Sequence, residues 1–198
     1  MLSDGVFAIV LTLLVLELHV PQLGENPGNK QMLLSLFAMR SKILSFLLSF
    51  VFVASLWFSH TVFFRLLIKI DNGILWLNNF FLLIVCFIPF PTALTGEYPS
   101  STIAMILFGV PWLLVPLFFY SMGTYSLKKG YVSPLVDLKQ FKAIRQTIIL
   151  FIPMSMVPMI LSLISPVISL IIYIGMSIGG IMLGFKVRLI KNETSEDL

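Results

Sequence analysis

The sequence predicts an all-α, polytopic membrane protein with six transmembrane helices, and three observations support this fold class. Of its 198 residues, 58% are hydrophobic and 11% are charged, with a mean hydropathy of +1.01. A soluble globular chain has roughly 45–50% apolar and about 25% charged residues. Six apolar runs approach the roughly 20 residues that a helix needs to cross a bilayer. Most lysines and arginines lie between these runs, where they control orientation.

The apolar windows place six spans along the chain. These lie near residues 2–20, 43–64, 74–94, 101–122, 146–165 and 167–187. They form a single transmembrane domain, residues 1–190, followed by a polar cytoplasmic tail at 191–198. Because no remaining stretch is long enough to bury a water-soluble core, the sequence excludes a large extramembrane enzyme domain.

The first run contains Asp4 and ends at Glu17, so it is barely long enough to cross the hydrocarbon. A secretory signal peptide is the competing interpretation. However, no basic residue precedes the apolar stretch, and Glu17, His19 and Pro21 stand where a small-residue cleavage pattern would lie. We therefore expect this run to be a membrane span.

The connections between the spans carry turn signals. Residues 21–31 contain proline and glycine and are expected to form an external loop, followed by a short interfacial helix over residues 32–39. Two prolines are expected to kink the fifth span. Ser165-Pro166 is expected to turn the chain directly into the sixth span, so that the last two spans form a hairpin.

The basic residues indicate the orientation in the membrane. Three of them, Lys30, Arg40 and Lys42, belong to one face. The other ten belong to the opposite face: Arg65, Lys69, Lys128, Lys129, Lys139, Lys142, Arg145, Lys186, Arg188 and Lys191. The positive-inside rule therefore predicts that both termini are cytoplasmic. We assign the net charge of +4 to orientation, and no basic tract interleaved with aromatic residues suggests nucleic-acid binding.

Asp4 is an acidic residue inside an apolar run. An acid at the centre of a span costs roughly 2.5–3.5 kcal/mol on insertion scales, and it usually faces a protein interior or a water path. Ser3-Asp4-Gly5 also begins a helix, where an aspartate caps the first turn and interacts favourably with the helix dipole. Both a bracing role and direct contact with an ion are compatible with this position, whereas Glu17 is expected at the opposite interface.

An apolar stripe runs along the first span. Ile9, Leu13 and Leu16 follow the i, i+4, i+7 spacing of one helix face, with Thr12 beside them. Such a stripe can face lipid or neighbouring helices. If several copies met around an axis, the same stripe would form stacked apolar rings, and this constriction could gate by dewetting. Periodicity does not choose between these arrangements.

Polar side chains cluster at the cytoplasmic ends of the first three spans. Because an unpaired polar group in lipid costs several kcal/mol, we expect these side chains to form an interhelical network. Its candidate members are Ser3, Asp4, His60, Asn78 and Asn79. The alternative is a proton relay through Asp4 and His60, but spans four to six have no central ionisable group to continue it.

No motif for covalent chemistry is present. The sequence contains no His-Glu-x-x-His, Gly-x-Ser-x-Gly, Walker or Thr-Val-Gly-Tyr-Gly motif. Its only histidines, His19 and His60, are assigned to opposite membrane faces, and the single Cys86 allows neither a disulfide framework nor a cysteine cluster. We expect no enzyme, no cofactor and no fixed metal. In span six, Gly175-x-x-x-Gly179 and Gly180-x-x-x-Gly184 indicate close helix packing.

The first hundred residues contain several specific motifs. They are Ser3-Asp4-Gly5-Val6-Phe7-Ala8-Ile9, Leu13-Leu14-Val15-Leu16-Glu17, Trp57-x-x-His60, Trp76-Leu77-Asn78, Pro89-Phe90-Pro91-Thr92-Ala93 and Glu97-Tyr98. Together these motifs closely resemble the prokaryotic branch of the transmembrane protein 175 potassium-channel family. Spans four to six match the family only in hydropathy.

The resemblance implies a homotetramer in the prokaryotic plasma membrane, with the first helix of each subunit lining a central pore. Carried over by position, Ile9, Leu13 and Leu16 would form the constriction, and Thr12 would adjoin the path. The family's Ser and Asp would be Ser3 and Asp4, within a network that includes Trp57, His60 and the start of span three. The resemblance also implies that the permeant species are monovalent cations, with a modest preference for potassium over sodium.

The chain departs from the family signature Arg-x-x-x-Phe-Ser-Asp at two positions. Leu2 stands in place of the phenylalanine, and the arginine position would precede Met1. Either the native chain starts upstream and supplies this arginine as a partner for Asp4, which we expect, or this member dispenses with the arginine and braces Asp4 in another way.

Three functions remain compatible with hydropathy and spacing. The resemblance favours a potassium channel. A proton- or ion-coupled transporter would use Asp4 and His60 and would show saturable flux. A non-conducting membrane scaffold would assemble through the glycines of span six and would show no flux.

Overall fold

The computed structural model describes residues 2–24, 26 and 28–177, and this part of the chain folds into eight helices. They are α1 (Leu2–Leu16), α2 (Asn29–Ala38), α3 (Arg40–Arg65), α4 (Asn72–Phe87), α5 (Pro89–Glu97), α6 (Thr102–Lys129), α7 (Leu138–Leu161) and α8 (Pro166–Ser177). The described residues contain no β-strand, and one isolated antiparallel bridge joins Leu67 to Val132. The all-α prediction is confirmed.

Four stretches of the bundle are long and apolar enough to cross a membrane: α3, α4 continued by α5, α6 and α7. Helices α4 and α5 are separated only by Ile88, because Pro89 has no N–H to continue the hydrogen-bond ladder. The predicted sixth span, 167–187, is described only as far as Ser177. The described residues do not include the rest of this span. They also do not include the glycine pair that starts at Gly180 or the predicted tail.

The first helix is shorter than its predicted span of 2–20. It ends at Leu16, and its 15 residues correspond to about 22 Å, less than the roughly 30 Å of bilayer hydrocarbon. Glu17, His19 and Pro21 follow, and polar or proline residues at this point end the apolar helix. The predicted interfacial helix is also present, but it begins earlier, at Asn29 after Gly28.

Helices α6 and α7 both extend beyond the apolar windows that predicted them. In α6 the predicted end is residue 122, but the helix continues to Lys129, and hydroxyls of its last turns are satisfied by carbonyls of the preceding turn. One of these is Ser126 Oγ, which donates to the carbonyl of Met122 (2.8 Å). Gly130, with φ of 67°, adopts the left-handed conformation that ends the helix. Helix α7 begins eight residues before the predicted 146, where Asp137 caps the N–H of Lys139 (2.8 Å).

The core lies where α1, α3, α4, α6 and α8 meet. Phe52 of α3 stacks on Trp112 of α6 with ring centroids 3.8 Å apart. Gly109 of α6 leaves room for the fully buried ring of Tyr173 from α8 and for Met159 from α7. A side chain in place of this glycine would separate the helices, so Gly109 sets how closely α6 approaches the last hairpin.

A junction around Asp71 joins α4 to the far end of α6. One carboxylate oxygen of Asp71 caps the N–H of Ile74 (3.0 Å) at the start of α4. The other oxygen accepts hydrogen bonds from the hydroxyls of Tyr125 (2.8 Å) and Tyr131 (3.2 Å). The carbonyl of Tyr131 also accepts from the N–H of Ile68 (2.9 Å). Asp71 therefore connects the α3–α4 loop to the end of α6 and the residues that follow it.

Gly109→Ala is expected to destabilise the protein by about 1–3 kcal/mol, because the added methyl group would overlap Tyr173 Oη and Met159 Cγ. A fluorescence-detected thermal melt in detergent would show a lower midpoint. Gly175→Ala is the matched control, since nothing described lies within 4 Å of its added methyl group. Equal midpoints for the two variants would contradict this account of the α6 packing.

Asp71→Asn is expected to change how stability depends on pH. The N–H of Ile74 and then the two tyrosine hydroxyls hold the pKa of Asp71 below its ordinary value, although partial burial opposes them. A lowered folded-state pKa means that the ionised carboxylate stabilises the fold above its unfolded pKa of about 3.9, and that this contribution disappears as the pH falls through the folded-state pKa.

Thermal melts should therefore show a midpoint difference between wild type and Asp71→Asn that is constant from about pH 5 to about pH 7 and shrinks below about pH 4. A difference that persists unchanged to low pH would contradict the role given to the ionised carboxylate.

Candidate functional site

The first helix has two different faces. Its inner face packs against α3, α4 and α5, where Phe7, Val10 and Leu14 are buried. Its outer face carries the predicted apolar stripe, on which Ile9 is 59% exposed and Leu16 is 65% exposed. Leu13 lies at the edge of this face and is 42% exposed. Within one subunit, the stripe therefore remains available for contact with lipid, with other subunits or with an aqueous path.

Thr12 lies on the same outer face, and its hydroxyl is satisfied within the helix. It donates to the carbonyls of Ile9 (2.8 Å) and Ala8 (3.1 Å). A hydroxyl that donates its proton to the backbone keeps its oxygen lone pairs, which can accept a hydrogen bond or contact a cation. Thr12 is thus a polar acceptor on an otherwise apolar surface.

The predicted polar network forms a chain of hydrogen bonds through three helices. Nε2–H of His60 in α3 donates to Oδ1 of Asn78 in α4 (2.7 Å). Nδ2 of the same asparagine donates to Oγ of Ser3 in α1 (3.2 Å). His60 and Asn78 are both buried. Asn78 therefore uses both ends of its amide to hold the N-terminal end of α1 against α3 and α4.

Asp4 makes a separate contact with α3. Its carboxylate accepts a hydrogen bond from the indole N–H of Trp57 (3.3 Å), and it lies in the first turn of α1, where the helix dipole favours a negative charge. Asn79, the remaining predicted member, is exposed on α4 and does not join these hydrogen bonds. It is adjacent to Asn78 in sequence and therefore points to a different side of the helix.

Aromatic rings enclose His60. Phe81 of α4 stacks on its ring with centroids 5.6 Å apart, Phe64 lies at 4.5 Å, and Phe7 of α1 meets it edge-on at 5.6 Å. The imidazole is held by packing on its faces and edge and by Asn78 at Nε2. Phe7 was not singled out from the sequence, and its place in an apolar run gave no signal of this contact.

The opposite end of α1 borders a cavity of about 260 Å³. Glu17 and His19 line it just beyond the helix, and Lys42 and Glu97 line it from α3 and α5 as an ion pair. His19 thus lies at the other end of the bundle from His60. The described residues contain no group of three or more histidine, cysteine or acidic side chains that could hold a metal ion.

Sequence reasoning did not find the Lys42–Glu97 pair or the tyrosines that bind Asp71. The lysine and the glutamate lie 55 residues apart in the chain, so only the packing of α3 against α5 brings them together. Gly96 permits this packing, because a methyl group there would lie 3.0 Å from Cα of Lys42.

Asn78→Ala is expected to lower stability by about 1 kcal/mol, because it leaves His60 and Ser3 without their shared partner. A thermal melt in detergent would show the loss as a lower midpoint. Asn79→Ala removes the same amide one residue away on the exposed side and should leave the midpoint nearly unchanged. The same shift in both variants would contradict a specific role for Asn78.

Comparison with known proteins identifies relatives of this chain. The sequence model of the family described as endosomal/lysosomal potassium channel TMEM175 matches residues 1–89. A Chamaesiphon minutus protein named as a potassium channel is 37% identical over 129 residues, which cover 63% of this chain and 62% of the relative. A Streptomyces collinus protein of the same description is 29% identical over 148 residues, covering 72% and 70%. The alignment thus spans about three fifths of the Chamaesiphon relative's length.

Solved structures share the fold over almost the whole chain. The crystal structure of a lysosomal potassium-selective channel TMEM175 homolog from Chamaesiphon minutus has a TM-score of 0.81 and 28% identity, covering 92% of this chain and 94% of that one. A variant of the potassium channel MtTMEM175 has a TM-score of 0.63 at 18% identity, which is a likeness of fold alone. The hydrogen-bonded residues Ser3, Trp57, His60 and Asn78 all lie within the matched stretch 1–89. This chain is therefore similar to the TMEM175 family in sequence over residues 1–89, and it is similar in fold to a homolog of that family over most of its length.

Proposed function

We propose that this protein is a potassium channel in which four subunits assemble so that their α1 helices line a central pore. Its relatives from Chamaesiphon minutus and Streptomyces collinus are named as potassium channels. The observation that carries the proposal to particular residues is the outer face of α1. An apolar stripe with Thr12 beside it stays exposed in the folded subunit, although the opposite face of the same helix is buried.

In this arrangement Ile9, Leu13 and Leu16 form the constriction. They rise over about 10 Å of helix, and copies from four subunits would stack as apolar rings around the axis. A narrow apolar passage excludes water, so it can close by dewetting and can conduct only when it widens. No covalent chemistry is involved.

Selectivity would then arise from the cost of removing water from the ion. Apolar side chains offer a cation no ligand, so a sodium ion, which holds its hydration shell more tightly, meets the higher barrier. The hydroxyl oxygens of Thr12 adjoin the path and would offset part of this cost. Such a mechanism gives a modest preference for potassium, and other monovalent cations would permeate as well.

The hydrogen-bonded residues have a structural role in this proposal. The N-terminal end of α1 is held by the hydrogen bonds that link Ser3, Asn78 and His60. Asp4 adds a hydrogen bond from Trp57. A carrier that moved protons through Asp4 and His60 would need a hydrated route to the imidazole. Three phenylalanine rings pack around that imidazole, which favours a bracing role over a relay.

The distribution of basic residues supports an orientation with both termini in the cytoplasm. Seven described lysines and arginines lie at the end of the bundle that holds the polar network, and three lie at the other end. The positive-inside rule places the richer end in the cytoplasm, here of a prokaryotic plasma membrane. The α1–α2 connection would then be external.

Leu13→Ala is expected to widen the constriction and lower the preference for potassium over sodium. Purified protein reconstituted in liposomes or planar bilayers would show this as a bi-ionic reversal potential closer to zero. Val15→Ala is the matched control. Val15 is similarly exposed, at 49%, but points about 160° away from Leu13 around the helix.

An unchanged reversal potential in Leu13→Ala would contradict its role in the constriction. Saturable flux that depended on a proton gradient and stopped in Asp4→Asn would instead support a transporter. No flux from wild type and Leu13→Ala alike would support the scaffold.

A further inference from the structure

A groove between α2 and the first half of α3 lies outside the regions discussed so far. Its volume is about 600 Å³, within the roughly 300–1,000 Å³ of small-molecule sites, although it is open along one side. Its walls are apolar except for Arg40 and Ser41 at the junction of the two helices. The lining residues are Leu33, Leu36, Phe37, Arg40, Ser41, Ile43, Leu44 and Leu47.

The α2 helix is apolar on a face that no described residue covers. It packs against α3, yet none of its residues is buried, and Leu33 and Phe37 are 68% and 71% exposed. The groove continues along α3, a helix long and apolar enough to cross a membrane. The apolar walls on such a helix match a hydrocarbon chain.

The junction of α2 and α3 carries a positive charge that no described carboxylate neutralises. Arg40 is exposed, its guanidinium lies 6.0 Å from the ring centroid of Phe37, and no described carboxylate pairs with it. Lys42, the next basic residue, already pairs with Glu97. No side chain caps the N-terminus of α3. The guanidinium and the positive end of the helix dipole both favour an anion at this position.

We propose that this groove binds one phospholipid per subunit, with an acyl chain along the apolar walls and the phosphate against Arg40. Anionic phospholipids would bind most strongly, because none of the carboxylates that the structure describes pairs with Arg40. The site lies at the same end of the bundle as the C-terminal end of α1, where Glu17 shares a cavity with Lys42 of α3. Lipid bound here would contact the first turns of α3 directly.

Charge also favours lipid over a second copy of this chain. A neighbouring subunit seated on the groove would need a carboxylate to face Arg40. The described carboxylates at this end of the bundle are Glu97, which pairs with Lys42, and Glu17, which lines the cavity beside that pair. Glu97 is thus already paired, whereas a phosphate group matches the guanidinium fork.

Native mass spectrometry of the purified, assembled protein titrated with palmitoyl-oleoyl-phosphatidylglycerol tests the proposal. Wild type should bind one saturable lipid per subunit. Arg40→Gln should bind it about fivefold more weakly, as expected for the loss of one cation at an anionic headgroup. Lys30→Gln is the matched control, because it removes the same charge from the exposed start of α2, outside the groove, and should bind as wild type does.

A second variant fills the groove without changing its charge. Leu44→Trp should displace the acyl chain and weaken the binding of phosphatidylglycerol and phosphatidylcholine alike. Unchanged lipid binding in both Arg40→Gln and Leu44→Trp would overturn the proposal. It would also be overturned if Leu44→Trp altered the number of subunits while lipid binding stayed as in wild type, because the groove would then be a subunit contact.

Discussion

The packing of Phe7 against His60 and Phe81 is the interaction on which the arrangement of α1 depends. In a bilayer, lipid tails are as apolar as leucine, so close fit and hydrogen bonds hold helices together more than exclusion from water does. A helix of 15 residues offers little surface for this purpose. Its packing uses one face, which carries Phe7, Val10 and Leu14. The stripe on the other face therefore stays on the surface.

The two ends of the bundle are held by different means. At the end with Ser3, hydrogen bonds through Asn78 join α1, α3 and α4, and the carboxylate of Asp71 joins α4 to tyrosine hydroxyls at the end of α6. Toward the other end, hydroxyl hydrogen bonds join Ser49 to Thr92 and Thr102 to the carbonyl of Ser162, and the Lys42–Glu97 ion pair lies beside the close approach that Gly96 allows. An open cavity and an uncovered groove also occupy this second end.

Much of this fold could be predicted from the sequence, and the exceptions have physical causes. Hydropathy located the membrane helices because apolar runs of bilayer length have few alternatives, but it missed the polar turns that lengthen α6 and α7. Spacing placed Ile9, Leu13 and Leu16 on one face, and the need to satisfy polar groups in lipid pointed to His60 and Asn78. These arguments could not tell which of Asn78 and Asn79 is buried, and they could not predict that Lys42 pairs with Glu97. Helix rotation and helix packing decide such contacts.

The shortness of α1 has an electrical consequence for the proposed pore. A membrane potential of 100 mV is worth about 2.3 kcal/mol per elementary charge, whatever the distance over which it falls. With α1 only about 22 Å long, water would enter the proposed pore beyond both ends of the helix, and the voltage would drop mainly across the proposed dry segment between Ile9 and Leu16. The local field on a crossing ion is correspondingly steeper than in a pore that is narrow across the whole bilayer.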